Sequence, residues 1–176
     1  MELWDVYDEN GNKTSRFHMR GTPMRQGDYH MGAIIVVVNS KKDILCTLRS
    51  REKKFSPGVW ENTGGGALSG EDSRTAAVRE LKEETGICAA PEELVFLYRA
   101  KVIEADGTGL FNDVYALRRE MDAKDVVLQP GETEDAKWIP YEEWEALGRA
   151  GKILTPAGPN NEEFFSLLRR FIAEHT

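Results

Sequence analysis

Apolar positions recur along this chain with two different periods. Leu3, Trp4, Val6 and Tyr7 predict a short strand over 3–7, followed by the turn Asp8-Glu9-Asn10-Gly11-Asn12. Residues 14–20 can pair back on it as a hairpin, and 21–27 are rich in turn formers. Residues 31–39 are β-branched and apolar almost throughout, which fits a strand buried on both faces. After a turn over 39–43, residues 44–49 return as the next strand, and Val59-Trp60-Glu61 leads into a glycine loop. Two more strands are predicted over 94–103 and 113–119 around the turn Asp106-Gly107-Thr108-Gly109, and a short one over 136–139. Elsewhere the period lengthens. Residues 73–85 are dominated by the helix formers Ala, Leu, Glu, Arg and Lys. Asp72 suits the N-cap, and Gly86 the left-handed residue at which helices often end. Residues 141–150 and 161–175 have amphipathic spacing, anchored by Trp144 and by Phe164, Phe165 and Leu168. No repeat or low-complexity stretch interrupts this order. It describes an α/β chain, a mixed sheet flanked by helices.

The chain has 176 residues, which suggests one domain long enough to bury a sizeable core, and its 40% hydrophobic content is that of a globular protein. A net charge of −7 disfavours nonspecific binding to duplex nucleic acid or to a membrane surface. A phosphorylated substrate needs a local basic patch or a metal against that field. The longest apolar run, 33–38, is far too short to cross a bilayer, and residues 1–10 are acidic and mixed, unlike a signal peptide. Both point to the cytoplasm. Cys46 and Cys88 form no metal-spaced pair, and Cys46, in a strand-like run, reads as a reduced, buried residue.

The 73–85 helix carries the chemistry. At about 100° per residue, Glu80, Glu83 and Glu84 fall within an arc of roughly 100°. Val78 and Leu81, with Ala77 at the edge, lie on another side and can pack against a sheet. Three carboxylates this close destabilise a helix and raise one another's pKa. A hard divalent cation removes the conflict, and magnesium often bridges carboxylates to substrate phosphates. The same E-x-x-E-E spacing also describes an ordinary solvated helix face. The run Gly64-Gly65-Gly66 is open to two readings in the same way, as a flexible turn or as backbone that a substrate approaches closely.

The spacing around this helix resembles a known motif. Gly65, five residues, Glu71, seven residues, then Arg79-Glu80-Leu81-Lys82-Glu83-Glu84-Thr85-Gly86-Ile87 matches the Nudix box at every fixed position. The resemblance implies the Nudix α/β/α sandwich with a mixed sheet and a loop-helix-loop catalytic motif. It implies a single domain over 1–176, with 1–29 as a hairpin-like N-terminal extension. It implies a pyrophosphohydrolase acting, with Mg2+ or Mn2+, on a nucleoside diphosphate linked to another moiety or on a related organic diphosphate. The partner is then a small molecule, with a homodimer also allowed. Glu80, Glu83 and Glu84 are the expected metal ligands, and Glu80 can serve as ligand, base or both. Arg79 orients a box carboxylate through its guanidinium fork, and Glu71 ties the glycine loop to the helix. Family members often add a glutamate from a loop before a late Trp-containing strand. Glu132 and Glu134, before Trp138, are the candidates, with Glu134 preferred. Gly64 and Gly65 stand where family backbone meets metal and substrate. Arg49 and Arg51, with Lys53 and Lys54, could meet distal phosphates or simply solubilise a loop. Phe111, Tyr115 and Trp138 could stack a base, or be core.

A second resemblance covers the N-terminal half. Trp4-Asp5-Val6-Tyr7-Asp8, Gly27-Asp28-Tyr29-His30 and Ser56-Pro57-Gly58-Val59-Trp60-Glu61-Asn62 are similar to the isopentenyl-diphosphate isomerase branch of the superfamily. That branch uses a catalytic cysteine and a set of histidine metal ligands. Gly65 stands at the cysteine's place and Ala67 at a histidine's. His30 matches a family histidine but also reads as a structural strand-edge residue, and His18 and His175 do not supply the rest. Allylic isomerisation needs a proton donor and an acceptor, and glycine is neither. The expectation is a hydrolase in isomerase-like framing. An isomerase-like enzyme and a catalytically silent binding module are the alternatives.

Overall fold

The computed structural model describes residues 2–175, the last through its backbone alone, so the side chain of His175 lies outside what can be compared with the expectations above. Among the described residues nine strands and three α-helices follow in the order β1 (Leu3–Tyr7), β2 (Lys13–Met19), β3 (Tyr29–Val38), β4 (Asp43–Arg49), β5 (Trp60–Glu61), β6 (Thr63–Gly66), α1 (Ser73–Thr85), β7 (Val95–Ile103), β8 (Gly109–Arg118), β9 (Thr133–Pro140), α2 (Tyr141–Arg149) and α3 (Glu162–His175).

The sheet is organised on β3. One edge pairs in parallel with β8 over the whole of β3, and β7 pairs antiparallel outside β8. The other edge is shared by three partners. β1 meets its start at Tyr29, β6 its middle from Gly32 to Ile35, and β4 its end at Val38. β4 then diverges and pairs with β5 and β9. Because successive side chains point to opposite faces, β3 feeds two cores. Met31, Ala33, Ile35 and Val37 pack with Ala76, Ala77 and Leu81 of α1. Val36 and Val38 pack with Trp144 of α2 and with Phe164, Phe165 and Leu168 of α3. The result is the α/β/α sandwich, a mixed sheet between α1 on one face and α2 and α3 on the other.

Three expectations change. The glycine run is extended backbone paired to β3, from Gly66 opposite Gly32 to Thr63 opposite Ile35. Glycine's propensity for turns is overridden here by a neighbouring strand that supplies its hydrogen bonds. The strand expected at 113 begins at Gly109, because parallel pairing with β3 starts there, and the one expected at 136 begins at Thr133. Among the described residues no helix is long and apolar enough to cross a membrane.

Candidate active site

Helix α1 is fixed at both ends. Asp72 caps it, its side chain accepting from the Thr75 N–H at 2.7 Å. Ser73 donates to buried Asp113 of β8 at 2.5 Å, and Arg99 of β7 grips the same carboxylate through two bonds of 2.6 and 2.8 Å. At the far end Gly86 takes φ 73° and donates to the Lys82 carbonyl, the left-handed cap that glycine permits. With Leu81, Ala76 and Ala77 fully buried, the rotation of the helix is set, and with it the direction of its glutamates.

Those glutamates sit in three environments. Glu84 is 7% exposed and tucked against the glycine strand. Its Oε2 accepts from the Thr63 hydroxyl and, at 3.2 Å, from the Gly64 N–H. Burial pushes its pKa up to about 7, with Glu80 and Glu61 adding like-charge repulsion that the Thr63 bond opposes. Glu80 is half-buried and also raised by burial, against the pull of Arg79. Glu83 has a side chain 46% exposed. A helical wheel places the three on one arc. The rotation of the helix set by Ala76, Ala77 and Leu81 turns Glu84 inward and leaves Glu83 at the surface.

Arg79 is the hub. Its Nε and Nη2 bond the two oxygens of Glu71 at 2.9 and 3.0 Å, the two-pronged geometry suited to a guanidinium. Nη1 reaches Glu80 at 2.8 Å and Glu83 at 3.2 Å, and Nη2 also donates to the Gly66 carbonyl at 3.0 Å. Glu71 in turn accepts from the Leu68 N–H at 2.9 Å. One guanidinium thus ties the glycine strand, the loop and two helix carboxylates together.

The glycines have protein reasons to be glycines. A Cβ on Gly64 would stand 2.3 Å from the Ala33 carbonyl, and one on Gly65 would stand 2.3 Å from Glu80 Oε1. The space beside Gly65 is therefore a cradle for the Glu80 carboxylate.

Among the described residues no three His, Cys, Asp or Glu side chains close on a common point. The donor set still suits a divalent cation. Glu84 is a buried carboxylate whose two hydrogen bonds fall on a single oxygen, and Glu80 lies beside it in a pocket only glycine leaves open. Hard oxygen donors in a partly desolvated site, with their charges raised in energy, are what magnesium neutralises.

The sequence model of the NUDIX domain matches residues 28–158. The chain belongs to the Nudix family. An uncharacterized Nudix hydrolase of Listeria innocua is 32% identical over 155 residues, 88% of this chain and 89% of the relative. An isopentenyl-diphosphate Delta-isomerase of Paenarthrobacter aurescens is 34% identical over 145 residues, 78% of this chain and 74% of the relative. A crystal structure from Deinococcus radiodurans superposes with a TM-score of 0.69 over 96% of this chain and 98% of that one; at 23% identity it speaks for the fold alone. As an enzyme, the chain is a Nudix pyrophosphohydrolase.

The other side chains singled out around the Nudix box find varied places. Glu134 accepts from the Arg51 N–H at 2.6 Å and from Ser50 at 3.2 Å, so it holds the start of the 50–58 loop. Glu132 pairs with Lys53. Arg49 donates to the Phe55 carbonyl and, at 2.6 Å, to Glu61. Arg51 has a side chain 84% exposed, and Lys54 lies over the Phe55 ring. The stacking role offered for Phe111 and Tyr115 falls, because both are buried in the α1-side core, where alternation along β8 points them. Trp138 packs against the same core and donates to the Met121 carbonyl at 3.0 Å. His30 stacks on Trp4 with ring centroids 4.2 Å apart, and burial holds it down at about 4, a neutral structural ring. Cys46 is buried and unpaired, its thiol pushed up to about 12 by burial.

Sequence reasoning missed Glu61 as a member of the Nudix site. It is half-buried, raised by burial despite its bond to Arg49, and close enough to destabilise the charge on Glu84. Glu61 and Asn62 also line a cavity of about 520 Å3 on the α3 face of the sheet, walled by Ile34, Tyr98, Leu110 and the 154–158 segment. The cavity was invisible because its walls come from parts of the chain far apart in sequence. The signal for Glu61 was a charged residue next to Trp60 in the stretch that leads into the glycine run.

Proposed function

We propose that the protein hydrolyses the diphosphate bridge of a nucleoside diphosphate linked to a second moiety, or of a related organic diphosphate, with magnesium as its metal and manganese as a substitute. The observation that carries this reading is the placement of Glu84 and Glu80: two carboxylates driven into partly dry positions beside a strand of glycines, where a cation offsets the cost. Glu80, Glu83 and Glu84 would hold the metal, which when bound neutralises phosphate charge and acidifies water. Arg79 fixes Glu80 and Glu83, and Glu71 fixes Arg79. Glu80 is the group proposed to take the proton of the attacking water. Backbone at Gly64 and Gly65 borders the reacting phosphates, and Arg51, exposed at the surface with a 3.8 Å ion pair to Glu134, is the proposed contact for a distal phosphate. Arg49 contributes by holding Glu61 at the cavity mouth. Glu134 enters as an anchor of the 50–58 loop, with its role as a base left to its Gln variant. The cavity beside Glu61 offers room for the second moiety.

The isomerase reading has one observation in its favour, the identity to an isopentenyl-diphosphate Delta-isomerase. Against it stand Gly65 and Ala67, neither of whose side chains can move a proton or hold a metal. One experiment separates the two. Purified protein with magnesium is given a panel of nucleoside diphosphate derivatives, and isopentenyl and dimethylallyl diphosphate, with products read by NMR. Hydrolysis of at least one member is expected, abolished by excess chelator and lowered roughly a hundredfold by Glu83→Gln or Glu84→Gln. Isomerisation with no hydrolysis across the panel reverses the ranking. The described chain is proposed to act as one domain, with 1–29 as its extension. Two unpaired cysteines suit the reducing cytoplasm proposed for it. Gel-filtration mass decides between monomer and homodimer.

A further inference from the structure

The hairpin of β1 and β2 lies wholly outside the stretch matched to the Nudix domain, yet it grips the loop on which the box is set. Asp5 of β1 is at the join. Only 3% exposed, it accepts from the Ser69 hydroxyl at 3.0 Å through Oδ1 and from the Gly70 N–H at 2.9 Å through Oδ2, and pairs with Lys13 of β2 at 2.5 Å. Next to it, the Ser69 N–H donates to the Leu3 carbonyl at 2.7 Å. Trp4 lies under Gly66, where a Cβ would meet its Nε1 at 3.1 Å. Gly70 takes φ 91°, a left-handed turn that glycine allows, with its N–H bonded to Asp5. Neither Ser69 nor Gly70 is a fixed position of the Nudix box. The loop they form leads directly to the Leu68–Glu71 bond, and from Glu71 to Arg79 and Glu80.

We propose that Asp5 is a positioning residue for the hydrolysis, and that the N-terminal hairpin is a working part of the active site. The contacts run without a gap from Asp5 through residues 68–70 and Glu71 to Arg79 and the Glu80 carboxylate. A carboxylate buried by one element and bonded to the backbone of a second holds the two in register. Loosening it lets the loop relax and Glu71 drift, so that Arg79 no longer presents Glu80 at one point. Outer-shell partners of this kind change metal affinity and rate together, without touching substrate. The inference rests on the reading of the box as the hydrolytic site.

The test uses the full chain and four variants. Asp5→Asn keeps size and removes the charge that three donors share. Lys13→Ala removes the half-exposed ion pair and leaves the Ser69 and Gly70 bonds. Leu168→Ala opens the opposite core, remote from the box. Glu84→Gln tests the underlying reading. Each is measured for kcat and KM on the diphosphate found in the panel, for Mn2+ affinity by electron paramagnetic resonance in the absence of substrate, and for thermal unfolding. Asp5→Asn is expected to lower kcat and weaken Mn2+ binding by about tenfold each, with KM within about twofold of wild type. Lys13→Ala, which takes one donor from Asp5 and leaves the other two, is expected to show a smaller loss in the same direction as Asp5→Asn, and Leu168→Ala to keep both, per folded molecule. Asp5→Asn with wild-type kcat and Mn2+ affinity overturns the proposal. So does the same loss in Leu168→Ala at equal destabilisation, because stability alone would then explain it. Full activity in Glu84→Gln overturns the reading of the box instead, whatever Asp5→Asn does.

Discussion

Gly65→Ala separates catalysis from stability by one methyl group. The added Cβ would stand 2.3 Å from Glu80 Oε1 and 2.4 Å from its carboxyl carbon. Carbon–oxygen contact becomes comfortable near 3.4 Å, so the carboxylate has to retreat by about 1 Å. Glu80 can do so, because the displaced atoms are the end of a flexible side chain. Gly65 itself takes no left-handed φ, so alanine suits its backbone. The stability change is therefore expected to stay within about 1 kcal/mol of zero. The retreat pulls Glu80 away from the point where Arg79 now holds it at 2.8 Å. A misplacement of about 1 Å in a catalytic group costs on the order of a hundredfold in rate, close to 2.7 kcal/mol in the barrier. The neighbouring Gly64→Ala is the control. Its Cβ would stand 2.3 Å from the Ala33 carbonyl and 2.8 Å from the Ile34 Cα, both backbone of β3. Backbone in a central strand cannot retreat, so the loss appears as stability, about 1–3 kcal/mol. Steady-state kcat and urea unfolding on both variants check the pair. A folded Gly65→Ala enzyme turning over within twofold of wild type would refute the assignment of Glu80. A Gly65→Ala chain destabilised as much as Gly64→Ala would refute the argument that the side chain yields.

Two other outcomes follow from the same geometry. In chelator, the raised pKa of Glu84 makes a contribution to stability that is fully present below about 4.5 and is lost as pH rises through about 7, because the folded state binds the proton more tightly than the unfolded chain. Its size is on the order of 3 kcal/mol, and urea unfolding at pH 5 and pH 8 should show wild type losing ground to Glu84→Gln; an equal difference at both pH values would contradict the burial of that charge. Arg79→Lys keeps the charge and loses the two-pronged bond to Glu71, and is expected to cost about 10–100-fold in kcat; turnover unchanged by the substitution would show that Arg79 does not position the box.

Much of this architecture is local and was therefore readable. Helix α1 begins and ends where Asp72 and Gly86 predict, since capping depends on neighbours within a turn. The continuous apolar run of β3 predicts burial on both faces, and both cores are built on it. What escaped the sequence depends on contacts between distant segments. Three consecutive glycines read as a loop by composition, and only the edge of β3 makes them a strand. Glu83 and Glu84 are adjacent and identical in type, and only the packing of α1 on the sheet distinguishes a surface carboxylate from a buried one. The grip of Asp5 on Gly70 joins positions 65 residues apart, and no period or spacing announces it.

The space beside Gly65 also bears on which chemistry the site favours. That space is filled by the carboxylate of Glu80, held there by Arg79. The isomerase-like branch resembled by the N-terminal half carries a cysteine at this position. A side chain at 65 and the Glu80 carboxylate where it now lies exclude each other, because both claim the same few cubic ångströms. A cysteine here would displace the first glutamate of the Nudix helix, and a glycine admits it. A cysteine at 65 would bring a proton-transferring thiol and give up this placement of Glu80; with glycine, Glu80 sits beside Glu84 and the pair forms one acidic, partly dry wall. A wall of that kind suits a cation carrying phosphate charge and lacks the cysteine that the isomerase-like branch uses, which is why the hydrolytic reading is the one the residues around Gly65 support.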